Sequence, residues 1–132
     1  MGEERQPIPD DVEKVVSQVV DAALAVHRAT GPGLLEGVYE ACLCHELSKR
    51  GFRFERQRSW PIVYDGVRLD VGLRLDLLVE DCVIVELKAV DQMTPLLDAQ
   101  LLTYLKLTGK RVGLLINFNV PLLKHGIKRL IR

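Results

Sequence analysis

Two short runs of this chain are apolar on both of their faces. Residues 82–88 read CVIVELK and residues 111–118 read RVGLLINF. A strand with water on one side alternates apolar and polar residues; a strand without that alternation is covered on both sides. Between the two runs lies MTPLLDAQLLTYLKLTG, residues 93–109. It reads as a helix, with Thr94 as N-cap, Pro95 at the first helical position and Gly109 at its end. Two buried strands joined by a crossover helix are parallel neighbours in one sheet. A chain that must cover both faces of such a sheet is a layered α/β protein.

The remaining segments supply the layers. Val12, Val15, Val16, Val19, Ala23 and Val26 form one apolar stripe at helical spacing, with Asp10 or Asp11 as cap and ATGPG, residues 29–33, as its end. A second helix is predicted from about Leu34 to Arg50. Its stripe is Leu35, Val38, Tyr39, Cys42, Leu43, Glu46 and Leu47, and Gly51 closes it. FRFERQ and WPIVY then lead to Asp65-Gly66, a two-residue hairpin turn, followed by VRLDV and LRLDLLV. The tail, VPLLKHGIKRLIR, fits a last strand or a short helix. The predicted order is α, α, a β-meander, α, β: a mixed sheet flanked by helices. Residues 1–9 are expected to be a flexible N-terminus and residues 10–132 one domain, since 132 residues suit a single core.

Bulk properties narrow the function classes. Apolar residues at 48% and charged residues at 27% are globular values, not disordered ones. No apolar run approaches the length of a membrane span, and MGEERQPIPDD contains no secretory h-region. A cytoplasmic protein without a membrane partner is expected. Cys42, Cys44 and Cys82 have neither even count nor CxxC spacing, so reduced packing thiols are expected. Net charge is zero, yet no acidic residue comes after Asp98. Lys106, Lys110, Arg111, Lys124 and Lys128 fall in that basic third. They are candidates for a phosphate-facing rim, with a solvated surface as the alternative.

Polar residues in apolar runs carry the chemistry. Alternation puts Glu86 and Lys88 on one strand face, about 7 Å apart. Asp76 interrupts LRLDLLV, where aspartate is disfavoured. Strand register decides whether Asp76 meets Glu86. A two-residue turn between the strands pairs Asp76 with Val85 and separates the carboxylates onto opposite faces. A three-residue turn, Glu80–Cys82, or a bulge pairs Asp76 with Glu86. Two carboxylates that close repel unless a cation lies between them, and hard ions such as Mg²⁺ or Mn²⁺ use such oxygens. The bland alternative is a buried ion pair plus a hairpin-end aspartate. Gln100 and Tyr104 share a helix face beside Leu97 and Leu101, and the glutamine needs a partner there. Glu36 and Tyr39 lie one turn apart in GLLEGVY, residues 33–39, where Glu36 also suits the helix dipole.

Together these residues resemble a known family. Asp76…Glu86-x-Lys88 is similar to the PD-(D/E)XK nuclease signature, with Leu75 where the name has proline. Gly33-x-x-Glu36-x-x-Tyr39 resembles the motif of the GxxExxY proteins, a small branch of that superfamily, and Gln100-x-x-x-Tyr104 resembles its QxxxY motif. The resemblance covers roughly residues 10–130. It implies a restriction-endonuclease-like αβββαβ core with an extra N-terminal helix. It implies that Asp76, Glu86 and the Leu87 carbonyl bind Mg²⁺ or Mn²⁺, and that Lys88 activates water or stabilises the phosphate. Glu36, Gln100 and Tyr104 would join the site, and Tyr39 with the basic residues would contact nucleic acid. The expected activity is phosphodiester hydrolysis, on DNA ahead of RNA. The alternative is a non-cleaving nucleic-acid-binding or assembly module that acts only with a partner protein or as a homodimer.

Overall fold

The computed structural model describes residues 6–132. Helix α1 runs Asp10–Thr30 and α2 Glu36–Lys49. Strands β1 (Phe54–Tyr64), β2 (Val67–Val79) and β3 (Val83–Lys88) come next, then α3 (Pro95–Thr108) and β4 (Val112–Asn117). A 3₁₀ turn, Leu123–His125, precedes β5, Ile127–Ile131, so the tail contains both elements that its sequence allows. Five strands form one sheet in the order β1-β2-β3-β4-β5. Only β3 and β4 are parallel, joined through α3; the other neighbours are antiparallel. This is the αβββαβ core with a mixed central sheet and an extra N-terminal helix.

The sheet separates two apolar layers. Val83, Val85 and Leu87 of β3 join α1 and α2 through Val19, Ala23, Leu43 and Leu47. Ile84 and Leu115 face the other way, onto Leu101 and Leu105 of α3. Gly113 permits that approach, because a Cβ there would stand 2.8 Å from Leu101 Cδ1. No helix among the described residues is long and apolar enough to cross a membrane.

Local details differ from several expectations. Pro9 holds the N-cap of α1, so Asp10 and Asp11 sit inside its first turn, where their charge suits the helix dipole. Thr94 occupies the N-cap of α3 without a side-chain capping bond. Leu35 and Val38 are exposed rather than part of the core; α2 begins at Glu36, so Leu35 is its N-cap, and Tyr39 is its first buried residue. Asp65 and Gly66 both have positive φ, as the primed hairpin turn requires.

Candidate active site

The site begins with a turn. Glu80 and Asp81 adopt φ of 49° and 55°, and Val79 pairs with Val83, so the β2–β3 connection is the three-residue Glu80–Cys82 turn. The ladder runs Val79–Val83, Leu78–Ile84, Leu77–Val85 and stops. One step further in the same register, Asp76 faces Glu86. The bonds there no longer form a ladder. Asp76 Oδ2 accepts from the Leu87 backbone N–H at 2.9 Å, and Glu86 Oε2 accepts from the Asp76 N–H at 3.4 Å. The C=O of Leu87 points to the same strand edge as its N–H, toward Asp76.

The ladder stops because β1 and β2 both change face at this row. Leu75 packs on the α3 side and Leu77 on the α1–α2 side, although residues two apart ordinarily share a face. In β1, Phe54 and Trp60 are divided in the same way. Gln57, opposite Asp76 in the β1–β2 register, has φ of 50° and no ladder partner. Beyond this row β2 keeps its pairing with β1 but has none with β3, which leaves the sheet open around Asp76.

Glu86 occupies the protected side of that opening. It is only 5% exposed, and its Oε1 atom has no hydrogen-bond partner. Burial first, then the neighbouring Asp76, pushes its carboxyl up to about 9. Lys88, half-buried two residues on, opposes that shift. Tyr104 of α3 is half-buried and responds to both carboxylates: burial raises its hydroxyl pKa first, then Glu86 and Asp76. Glu36, exposed at the start of α2, is raised by desolvation and by Asp76, with Lys88 acting against it. Asp76, Glu86, Lys88, Glu36 and Tyr104 therefore share one electrostatic neighbourhood between α2 and α3. Gln100 acts on this neighbourhood through Tyr104, whose pKa its amide lowers, and it is exposed rather than on a buried face as its helical position suggests.

Other candidates lie elsewhere. Tyr39 is fully buried. Its hydroxyl donates to the Gly31 carbonyl at 2.6 Å and accepts from the Leu34 N–H at 3.1 Å, while its ring stacks on Phe118 at 4.5 Å. Tyr39 thus has no surface to offer and fastens the GPG loop. The basic residues do not assemble into one rim. Arg111 precedes Val112, which pairs with Val83 at the opposite end of β3 from Lys88. Its guanidinium is occupied by the Arg132 and Gln6 carbonyls. Lys110 is bound to Asp81 at 3.3 Å and Lys128 to Asp98 at 2.5 Å. Lys106 and Lys124 are exposed on separate elements, α3 and the 3₁₀ turn.

The structure adds residues that sequence reasoning missed. Gln57 donates to Glu40 Oε1 at 2.8 Å and lies 3.5 Å from Asp76 Oδ1. Its position opposite Asp76 emerges only from strand pairing, whereas the Glu36–Glu40 spacing of one helical turn is visible in the sequence. Buried Asn117, a polar residue in an apolar run, was also a visible signal. Its amide pairs with both the N–H and the C=O of Val90, at 3.1 and 3.0 Å, fixing the chain just after Lys88.

Among the described residues no three histidine, cysteine or acidic side chains gather closely enough to hold a metal by themselves. Asp76 and Glu86 are a pair. Their fit to a cation rests on the buried, unpartnered Glu86 Oε1, on the closeness of the Glu86 and Asp76 side chains, and on an all-oxygen donor set, which suits a hard divalent ion. No curated protein and no solved structure matches the chain significantly. A family model described as the PD-(D/E)XK nuclease superfamily matches residues 13–130, which run from the first turn of α1 into β5 and include Asp76, Glu86 and Lys88, and the chain belongs to that superfamily.

Proposed function

We propose that this protein is a divalent-metal-dependent nuclease that hydrolyses phosphodiester bonds, with DNA as the preferred substrate. One observation carries the reading: a buried carboxylate oxygen, Glu86 Oε1, is left without a partner beside a second carboxylate. Such an arrangement is costly without a cation and useful with one. Asp76, Glu86 and the Leu87 carbonyl would hold Mg²⁺ or Mn²⁺, which would supply Lewis acidity at the scissile phosphate. The Lys88 ammonium orients the attacking water or stabilises charge developing on the phosphoryl oxygens. Glu36, Tyr104 and, through it, Gln100 orient water and substrate from the flanking helices. Residues 10–132 act as one nuclease domain.

We place the chain in the GxxExxY branch on Gly33, Glu36 and Tyr39. The motif divides by role: Gly33 has φ of 99° and Tyr39 ties the loop, while Glu36 is the member that feels the charge of Asp76. Exposed Arg74, two residues before Asp76 on β2, is a nearer phosphate contact than the ion-paired C-terminal lysines.

The test is cleavage of plasmid, linear and single-stranded DNA, and of RNA, with Mg²⁺, Mn²⁺ or EDTA. Metal-dependent cleavage that Asp76→Asn abolishes and Lys88→Ala sharply lowers supports the nuclease. A second reading, a nucleic-acid-binding module that acts only with a partner, is favoured because, among the described residues, no third His, Cys, Asp or Glu side chain stands with the pair closely enough to complete a metal site. Binding without cleavage in the parent protein would select it.

A further inference from the structure

Gln57 occupies a backbone conformation that non-glycine residues rarely take, at φ of 50°, and it does so mid-strand. Such a conformation is strained for a non-glycine residue and persists where the surroundings enforce it. Its side chain shows what that conformation achieves. One amide nitrogen stands 2.8 Å from Glu40 Oε1 and 3.5 Å from Asp76 Oδ1. On the other side, the Leu87 N–H holds Asp76 Oδ2 at 2.9 Å. The Asp76 carboxylate is thus gripped by one oxygen from β3 and approached at the other from β1. Glu40 is itself held by Arg56 at 3.5 Å, so the amide is anchored rather than free to swing. An ordinary strand residue at position 57 would continue the ladder and point its side chain perpendicular to the sheet.

We infer that Gln57 is a positioning residue for the metal site: its left-handed backbone and Glu40-anchored amide aim the Asp76 carboxylate at the ion. This rests on the reading of Asp76 and Glu86 as metal ligands. The amide donates one hydrogen to each carboxylate and carries no charge, so it orients Asp76 without competing with a cation for it. An arginine or lysine here would neutralise the ligand instead.

Gln57→Gly separates positioning from structural support. Glycine takes positive φ without steric cost but has no amide. If Gln57 positions Asp76, the variant's metal-free melting temperature is unchanged or higher, while its affinity for Mn²⁺, read by calorimetry, falls about tenfold. Gln57→Asn, which tolerates the conformation but is one methylene shorter, should also lose Mn²⁺ affinity. Parent-like Mn²⁺ affinity in Gln57→Gly overturns the inference, as does a fall in melting temperature large enough to account for the weaker binding. Asp76→Asn is the control for the underlying reading. If the parent and Asp76→Asn bind Mn²⁺ alike, both the metal site and the role of Gln57 fail. If only Asp76→Asn weakens binding, the site stands and Gln57 alone is refuted.

Discussion

Asp76 and Glu86 face each other one step beyond the last ladder pair of β2 and β3, and the Asp76 side chain bonds the backbone of Leu87 instead of continuing the ladder. Two carboxylates are thereby brought together in a place that water barely reaches on the Glu86 side. The fold tolerates this pair by leaving Glu86 protonated over most of the pH scale in the absence of a cation.

That gives a pH signature. The folded-state pKa of Glu86, about 9, lies above the ordinary 4.5, so its folded form binds the extra proton across that window. Stability from this group is greatest below the ordinary value and declines as pH rises toward 9. Metal-free Glu86→Gln should therefore be more stable than the parent at pH 8, by a few kcal/mol at most, and flatter in its dependence on pH. Denaturant melts between pH 5 and 9 measure this; a parent with no decline in that range contradicts it.

Lys88→Ala should lower cleavage about 10²- to 10³-fold, the cost of removing one electrostatic stabiliser, while Mn²⁺ affinity stays within a few-fold of the parent. Single-turnover cleavage and calorimetry on the same preparation separate the two effects. A comparable loss in both would assign Lys88 to ion binding.

Tyr39→Phe removes the hydroxyl that bridges Gly31 and Leu34. Losing a buried, doubly bonded hydroxyl should destabilise the protein by about 1–2 kcal/mol. DNA affinity and its salt dependence should not change. A large drop in affinity at unchanged stability would return Tyr39 to the interface.

Asn117→Ala frees the Val90 backbone and should cost about 2–3 kcal/mol. Because Val90 lies two residues beyond Lys88, hydrogen exchange should quicken most in the segment between β3 and α3. Uniform quickening across the chain would show that Asn117 supports the fold generally.

Arg74→Ala should reduce the slope of log K against log salt by about one counterion. The paired change Lys110→Ala/Arg111→Ala should alter it little, because Arg111 lies about 13 Å along the sheet from Glu86 by strand rise and Lys110 is already paired with Asp81. Filter binding at several salt concentrations distinguishes them.

Periodicity alone determined much of this protein. The two non-alternating runs and the helix between them required a parallel pair buried on both faces, and Asp65-Gly66 and Gly109 marked a turn and a helix end. The polar interruptions Asp76, Glu86 and Lys88 were equally legible, because a charge in an apolar run needs a reason. What the sequence left open was whether Asp76 and Glu86 meet. That depended on one residue of turn length, since a one-residue slip sends every side chain to the opposite face. The burial of Tyr39, the dispersal of the basic residues and the location of Gln57 were likewise decided only in three dimensions. Each depends on contacts between segments far apart in the chain, and spacing within one segment carries no information about what packs against it.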